Sequence, residues 1–391
     1  MTLTLQQFRS YTKEVIQFSS GVTCIIGPNT AGKTNILEAI YILAVGKSFR
    51  AEKESDMVRW GEEVGRVGAL VLDKIPHQVR DDKTEDKMRL ELVITTGEVN
   101  GEKAPAKKYL VNGVPRRQID FVGNVRAVLF SPEDLDLVTD SPSLRRQYLN
   151  SVLVQTDREY RRNLLSYERG LRQRNKLLDL IGEGRAGRSQ LLFWNQLLIK
   201  SGSYLTQKRE EFIEYMNGDG KTTRQEDNKM GRMHYQIVYD KSLISEARLE
   251  QYKDEEIAAG STLVGPQRDD IRFEIFTDKE SHFAKASRDR HHVDMQNDAW
   301  RDVSRFGSRG EQRLAVLWLK LAELSYIEKE TEERPILLLD DIFSELDEES
   351  RTIVLSVIDK QQTIITSAEE EVVHLFKNKK GVEIIRLPID L

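Results

Sequence analysis

Eight consecutive residues constrain this chain more than any others. Gly27-Pro28-Asn29-Thr30-Ala31-Gly32-Lys33-Thr34 fits the pattern G-x-x-x-x-G-K-[ST]. It follows directly on the apolar run Val22-Thr23-Cys24-Ile25-Ile26 and opens an amphipathic stretch from about Lys33 to Val45. A strand, a glycine-bearing loop and a helix in that order make a phosphate cradle. The loop amides and the positive end of the helix face phosphate oxygens, and Lys33 reaches the β/γ-phosphates as a point charge. Thr34 offers its hydroxyl to Mg²⁺. Gly27, Pro28, Asn29, Thr30, Ala31, Gly32, Lys33 and Thr34 are therefore candidate nucleotide ligands, with ATP and Mg²⁺ the expected cofactors. A chance glycine turn is the competing reading, and the flanking strand and helix argue against it. Cys24, inside the strand, is expected to pack in the core.

A second chemical feature lies 300 residues downstream. Ile336-Leu337-Leu338-Leu339-Asp340-Asp341 is an aliphatic run ending in two carboxylates, as a buried parallel strand would deliver acids to the sheet edge where ligands bind. Asp340 is the candidate Mg²⁺ ligand, acting through water together with Thr34. Asp341 is the candidate to orient or deprotonate an attacking water. Ser308-Arg309-Gly310-Glu311-Gln312-Arg313 opens the preceding helix. Ser308 with Glu311 three residues on can be a capping box. The same free amides can also serve a phosphate presented by another subunit, which makes Ser308, Gly310 and Arg313 candidate ligands.

The rest of the chain sets the context. Its 391 residues include 59 Lys+Arg against 64 Asp+Glu, for a net charge of −5. That length suggests two or three domains. The single cysteine excludes an intramolecular disulfide framework and fits a reducing compartment. No apolar run approaches the roughly 18 residues of a membrane helix, and the first residues lack a signal-peptide profile, so a cytoplasmic protein with no membrane partner is expected. From Leu144 to Arg209, 14 Lys/Arg stand against five acids, so the remainder is strongly acidic. Such a segment is a footprint for polyanions, or simply a solvated basic face.

Helical spacing over Asp157–Leu180 and Ser189–Met216, joined by the glycine-bearing link Ile181-Gly182-Glu183-Gly184-Arg185-Ala186-Gly187, predicts an αα-hairpin arm. Short β-rich runs at Gly68–Leu72, Leu90–Thr95, Lys108–Val111 and Val125–Leu129 predict further strands of one α/β lobe. A second α/β pattern follows residue 308, with strands at Ile336–Asp340, Thr363–Thr366 and Val382–Leu387. Two polar stretches, Asn217–Arg232 and Thr277–Asn297, are expected to be loops or partly disordered insertions. If the sheet-forming halves fold together, the arm is an insertion within one nucleotide-binding domain.

These motifs carry a resemblance. The phosphate loop, the Ser-x-Gly-x-x-Arg signature and the strand-borne aspartates, followed by Ser344-Glu345-Leu346-Asp347, resemble ABC-type ATPase heads of the structural-maintenance (SMC) group. More closely, the chain resembles the RecF family of bacterial recombination mediators. The similarity runs through Phe8-Arg9-Ser10-Tyr11, Ala44-Val45-Gly46-Lys47-Ser48-Phe49-Arg50, Leu129-Phe130-Ser131-Pro132-Glu133-Asp134-Leu135, Pro142-Ser143-Leu144-Arg145-Arg146, Leu263-Val264-Gly265-Pro266-Gln267-Arg268-Asp269-Asp270 and Phe306-Gly307-Ser308.

The resemblance implies an α/β, ABC-type P-loop ATPase head with an inserted helical arm lobe, divided into residues 1–143, 144–260 and 261–391. It further implies an ATP-dependent homodimer that binds DNA near single-strand/duplex junctions and acts in gap repair, replication and the SOS response, with the RecR and RecO proteins as partners. Arg145, Arg146, Arg161 and Arg162 are the DNA-contact candidates, with Lys47, Arg50, Lys107 and Lys108 in reserve. The sequence departs from the family pattern at Gln267, where His is usual, and at Arg309 and Glu311, where glutamines are usual. Asp341 stands where transporter heads carry Glu, and Thr366-Ser367 where they carry a switch His, so slow hydrolysis serving as a switch is expected. The rival readings are a transporter subunit, a small-molecule P-loop kinase, another SMC-like head, and a DNA-binding protein that binds ATP without hydrolysing it. The first lacks an L-S-G-G-Q string and the second needs no signature helix.

Overall fold

The computed structural model describes residues 1–72, 87–219, 234–276, 300–376 and 381–388. Two compact units emerge: Met1–Pro132 together with Ile327–Leu391, and Glu133–Tyr326. The expected breaks at 143/144 and 260/261 thus fall instead at 132/133 and 326/327. The reason for the second shift is a strand. Asp270–Phe276 pairs antiparallel with His234–Asp240 along all seven residues, and Trp300–Asp302 adds a third strand. Residues after 260 are thereby tied to the arm rather than to the acidic strand.

Among the described residues the first unit holds two large sheets and a two-stranded ribbon, Glu98–Val99 with Glu102–Lys103, where the sequence suggested further strands of one α/β lobe. Five parallel strands run in the order Ala127–Phe130, Ile336–Asp340, Thr363–Ser367, Val22–Ile26, Val382–Arg386. Four of them are buried along almost their whole length, as parallel strands covered on both faces must be. The second sheet is antiparallel, in the order Tyr11–Gln17, Thr2–Phe8, Val64–Leu72, Lys87–Thr95, Lys107–Val111, Val114–Arg116. Its strand Lys87–Thr95 alternates exposed and buried residues over most of its length, the signature of a sheet with one solvated face. Val125–Leu129, expected among these strands, belongs to the parallel sheet as Ala127–Phe130. Strands from both ends of the chain share that sheet, so the arm is inserted within the domain that carries the phosphate loop.

The second unit is built on the hairpin of Arg158–Gly182 and Leu191–Glu214. Asp157 caps the first helix, accepting from the amides of Glu159 (2.7 Å) and Tyr160 (3.1 Å). Gly170 permits close crossing, since a Cβ there would lie 3.0 Å from Leu197. Two buried arginines tie the hairpin to the chain that follows it, Arg174 near the turn and Arg209 near the open end. Arg174 donates to Glu256 (2.6 Å), Asn195 (2.8 Å) and Thr262 (2.8 Å). Arg209 donates to Asp269 (2.7 Å), the Pro266 carbonyl (2.7 Å) and Asn150 (3.0 Å). Of the first polar stretch, Asn217 is described and brackets Ile237 with two bonds of 2.7 and 2.8 Å; most of that stretch, and all of Thr277–Asn297, lie outside the described residues.

The helix Lys33–Val45 carries a carboxylate into the core. Glu38 is fully buried and accepts from Arg9 (2.6 and 2.8 Å), Arg50 (2.8 and 3.1 Å) and Ser48 (2.6 Å). Burial by itself would raise its pKa. The two guanidiniums and the hydroxyl outweigh that and hold it below the ordinary glutamate value of 4.5. A depressed folded-state pKa means that the stabilisation is present above about pH 4.5 and is lost as the pH falls through the folded value. Glu38→Ala is expected to cost about 3 kcal/mol at pH 7, the lower end for breaking a buried pair, because Arg9 and Arg50 retain some water. In denaturant titrations followed from pH 7 to pH 3.5, the gap to the parent protein should narrow below pH 4.5; a gap that widens there would reverse the sign argued for Glu38.

Candidate nucleotide site

Strand register builds this site. In the parallel sheet Ile26 pairs with Ser367, and Asp340 pairs with Thr366. Thr363–Ser367 therefore lies between the strand that feeds the phosphate loop and the strand that ends in aspartate, and all three finish at one edge. The Gly27 amide donates to the Ser367 carbonyl at 3.2 Å, so the loop starts from a fixed point. Thr30 and Gly32 then take left-handed backbone angles, φ 75° and 87°. At Gly32 the requirement is doubled, because a Cβ would meet the Tyr11 hydroxyl at 2.8 Å and the Ser10 hydroxyl at 3.0 Å.

Lys33 is only 7% exposed and donates to the Gly27 and Pro28 carbonyls at 2.8 and 2.9 Å. Burial lowers its pKa, while the carboxylates of Asp341 and Asp340 push it back up. Two neutral carbonyls are weak partners for a buried ammonium, so phosphate oxygens arriving beside it would be the better acceptors. Asp340, also 7% exposed, accepts from Thr34 at 3.2 Å and from Thr366 at 2.6 Å. One carboxylate and one hydroxyl converging beside the loop lysine suit Mg²⁺, which takes few protein ligands and completes its shell with phosphates and water. Thr366 was noted in the sequence only as the residue standing in place of a switch histidine; its hydroxyl is what orients Asp340.

Asp341 has φ 51° and is partly exposed, its amide donating to the Thr366 carbonyl at 3.1 Å. The left-handed kink turns its side chain off the strand line, a conformation that aspartate tolerates better than most residues. Asp347, at the end of the Ser344-Glu345-Leu346-Asp347 stretch, is committed as the N-cap of Glu348–Ile358, accepting from the Ser350 amide at 2.8 Å.

A cavity of about 850 Å³ adjoins the start of the phosphate-loop helix. Arg9, Ser10, Asn35, Arg50, Arg59 and Trp60 line it. Asn35 donates to Ser10 at 2.8 Å, and Trp60 is 98% exposed at the rim. Sequence reasoning gave none of these residues a nucleotide role, and held Arg50 only as a reserve DNA contact. The available signal was the Arg9-Ser10 turn between two strands, together with a lone Glu38 in an otherwise apolar helix face.

The signature residues stand in the other unit, and all three are exposed. The Ser308 amide donates to Glu311 at 2.7 Å, and the Glu311 amide donates to the Ser308 hydroxyl at 3.3 Å, a reciprocal capping box. Glu311 is thereby given a use that a glutamine could share. Gln267 likewise has both ends engaged. It accepts from the Tyr167 hydroxyl and donates to the carbonyls of Val264 (2.9 Å) and Thr262 (3.3 Å).

The basic candidates divide. Arg145 is buried, with its donors committed to Asp270 (2.7 and 3.0 Å) and the Asp140 carbonyl. Arg145 is therefore not the DNA contact the sequence suggested: its guanidinium holds the fold together. Arg146 donates to the Asp269 carbonyl at 2.9 Å and Arg161 to the Val154 carbonyl at 2.6 Å, both partly buried. Arg162 is open to solvent, with Glu159 at 3.6 Å. Among the reserve residues, Lys107 is held by Glu54 (2.6 Å) and the Gly46 carbonyl (2.7 Å), and Arg50 by Glu38.

Known proteins share this arrangement. The RecF/RecN/SMC N terminal domain family matches residues 1–386. The chain is 34% identical to the DNA replication and repair protein RecF of Herpetosiphon aurantiacus, covering 94% of this chain and 92% of that protein. It is 32% identical to that of Bacillus cereus, covering 99% and 96%. Two solved structures of the recombination mediator protein RecF in the RecFOR pathway, one described as RecF-ATPrS and one as RecF-ATP, superpose with a TM-score of 0.77. Their sequences are 28% and 29% identical to this one, over 99% and 94% of this chain and 95% and 91% of theirs. The fold is accordingly that of an ABC-type, SMC-like ATPase head. No described helix is long and apolar enough to cross a membrane. Identity sustained along both sequences from end to end, rather than confined to the phosphate loop, carries the assignment: the chain belongs to the RecF family, within the RecF/RecN/SMC N-terminal-domain group.

Proposed function

We propose that this protein is an ATP-dependent, DNA-binding recombination mediator that acts at single-stranded gaps and junctions during repair, replication and the SOS response. Slow ATP hydrolysis controls a homodimer, and RecR and RecO are its partners. The observation that carries the reading is the split of the ATPase motifs. Lys33, Thr34, Asp340 and Thr366 converge on one sheet edge, while Ser308, Gly310 and Arg313 stand exposed at a capped helix start in the other unit.

In this reading the loop amides and Lys33 bind the phosphates, and the cavity beside Ser10 and Asn35 takes the nucleoside, with Trp60 and the arginines at its wall. Thr34 and Asp340 hold Mg²⁺, which when bound neutralises phosphate charge. Thr366 positions Asp340, and Asp341 orients the attacking water. Ser308 uses one acceptor site of its hydroxyl for the cap, and the O–H is left to donate to a γ-phosphate from a second subunit.

Thr366→Val keeps the shape and removes the bond to Asp340. It is expected to weaken the Mg²⁺ requirement's midpoint by about 10–100-fold, the range for losing a metal ligand's supporting partner, with ATP-analogue binding in excess Mg²⁺ little changed. A Mg²⁺ titration of analogue fluorescence checks it. Asp341→Asn should slow turnover and leave ATP binding intact, because an amide still accepts a hydrogen bond but is a far weaker base. A parent protein that binds ATP and DNA but never turns ATP over would favour the non-hydrolysing alternative.

The sharpest test is Ser308→Arg. Monomer binding of ATP should survive, while ATP-dependent dimerisation on gapped DNA, read by sedimentation, and turnover should fail together. Mixed with Lys33→Ala, it should restore at most one working composite site per heterodimer. Full activity in Ser308→Arg would reduce Ser308 to an N-cap worth about 1 kcal/mol.

A further inference from the structure

The helix Arg158–Gly182 carries a stripe of cations of which the sequence reading named only Arg162. At 100° per residue, Arg158, Arg162, Leu165, Arg169, Arg172 and Lys176 fall within about 40° either side of one line along the helix. All six are exposed. Five are cations, and no acid of the helix falls on that line: Glu159, Glu168 and Asp179 point away by about 60° or more. Arg162 has Glu159 only at 3.6 Å, and among the described residues no ion pair is recorded for Arg169, Arg172 or Lys176. The opposite face of the same helix is the packed one, with Tyr160, Asn163, Tyr167, Gly170, Arg174 and Leu178 buried. The basic arginine Arg174 therefore serves the fold, and the charge left over is concentrated on the solvent side.

We infer that this stripe is a phosphate-backbone binding surface for nucleic acid, read through charge and not through sequence. The inference rests on the DNA-binding reading above and names the surface that carries it. Arg158 to Lys176 spans 18 residues, about 27 Å at 1.5 Å each, comparable with eight base pairs of duplex axis at 3.4 Å each. Four of the five cations are arginines, whose planar fork matches phosphate oxygens two at a time. The rest of the chain is acid-rich, so a polyanion is drawn to this face and repelled elsewhere. Leu165 is the one apolar position in the row and no aromatic side chain stands in it to stack on bases, which favours backbone contact.

The test replaces Arg162, Arg169, Arg172 and Lys176 with Gln in the full chain and measures affinity for gapped duplex DNA across a salt titration. Gln suits an exposed helix, and circular dichroism with ATP-analogue binding confirms that the variant is folded. A second variant, Arg162→Lys with Arg169→Lys and Arg172→Lys, keeps the charges. The glutamine variant should bind at least 10-fold more weakly at low salt, with a log–log salt slope shallower by about 3, as expected for several lost phosphate contacts; the lysine variant should keep the parent slope. An unchanged slope in the glutamine variant, with the parent protein binding DNA, overturns the stripe and leaves the DNA-binding reading standing. No DNA binding by the parent protein overturns both. A glutamine variant that binds DNA normally but loses a salt-sensitive self-association or capture of an acidic partner protein assigns the stripe to protein contact instead, and also overturns the inference.

Discussion

Everything in the nucleotide site hangs from one strand that contributes no ligand of its own. Thr363–Ser367 pairs on one side with the strand that feeds the phosphate loop and on the other with the strand that ends in Asp340. Its last two residues do the joining: the Ser367 carbonyl takes the first amide of the loop, and the Thr366 hydroxyl takes a carboxylate oxygen of Asp340. The distance between Asp340, the candidate Mg²⁺ ligand, and the phosphate loop is thus set by hydrogen-bond register among buried strands. Register in such a sheet is hard to shift, because a slip of one residue would turn every buried side chain to the other face.

How much of this could be read from the sequence follows from how local each feature is. The phosphate loop, the aliphatic strand with its terminal aspartates, the Ser308–Glu311 cap and the arm hairpin are all written in residues within a few positions of one another, and each appears where its pattern puts it. The division of the β-strands into two sheets is not local. Val125–Leu129 and Leu90–Thr95 are similar apolar runs, yet the first pairs with a strand 200 residues away and the second with its neighbours. The antiparallel pairing of Asp270–Phe276 with His234–Asp240, which moves a unit boundary by more than 60 residues, is hidden for the same reason.

Arginine is where local reading fails most plainly. A count of charge between Leu144 and Arg209 treats every arginine alike, but Arg145, Arg174 and Arg209 are buried and answered by Asp270, Glu256 and Asp269. Each of those acids lies at least 60 residues away in the chain. Helical phase separates the two populations where composition cannot, since Arg174 lies on the packed face of its helix and Arg172 and Lys176 on the solvated one. Glu38 shows the converse case, a carboxylate in an apolar helix that only Arg9 and Arg50, brought in by two separate turns, make tolerable.

The pairing of Val22–Ile26 with Thr363–Ser367 also has a consequence for how the protein is made. A ribosome that has released the phosphate loop must add over 300 further residues before the neighbouring strand exists, roughly 15–60 s at about 5–20 residues per second. Through that interval a mostly apolar strand, buried along its whole length in the finished fold, has neither of its sheet neighbours, and the antiparallel sheet and the arm are the parts able to form first. A nascent chain of this protein therefore carries an open, aggregation-prone edge beside the phosphate loop until Thr363–Ser367 has been made, and the candidate nucleotide site is completed only then.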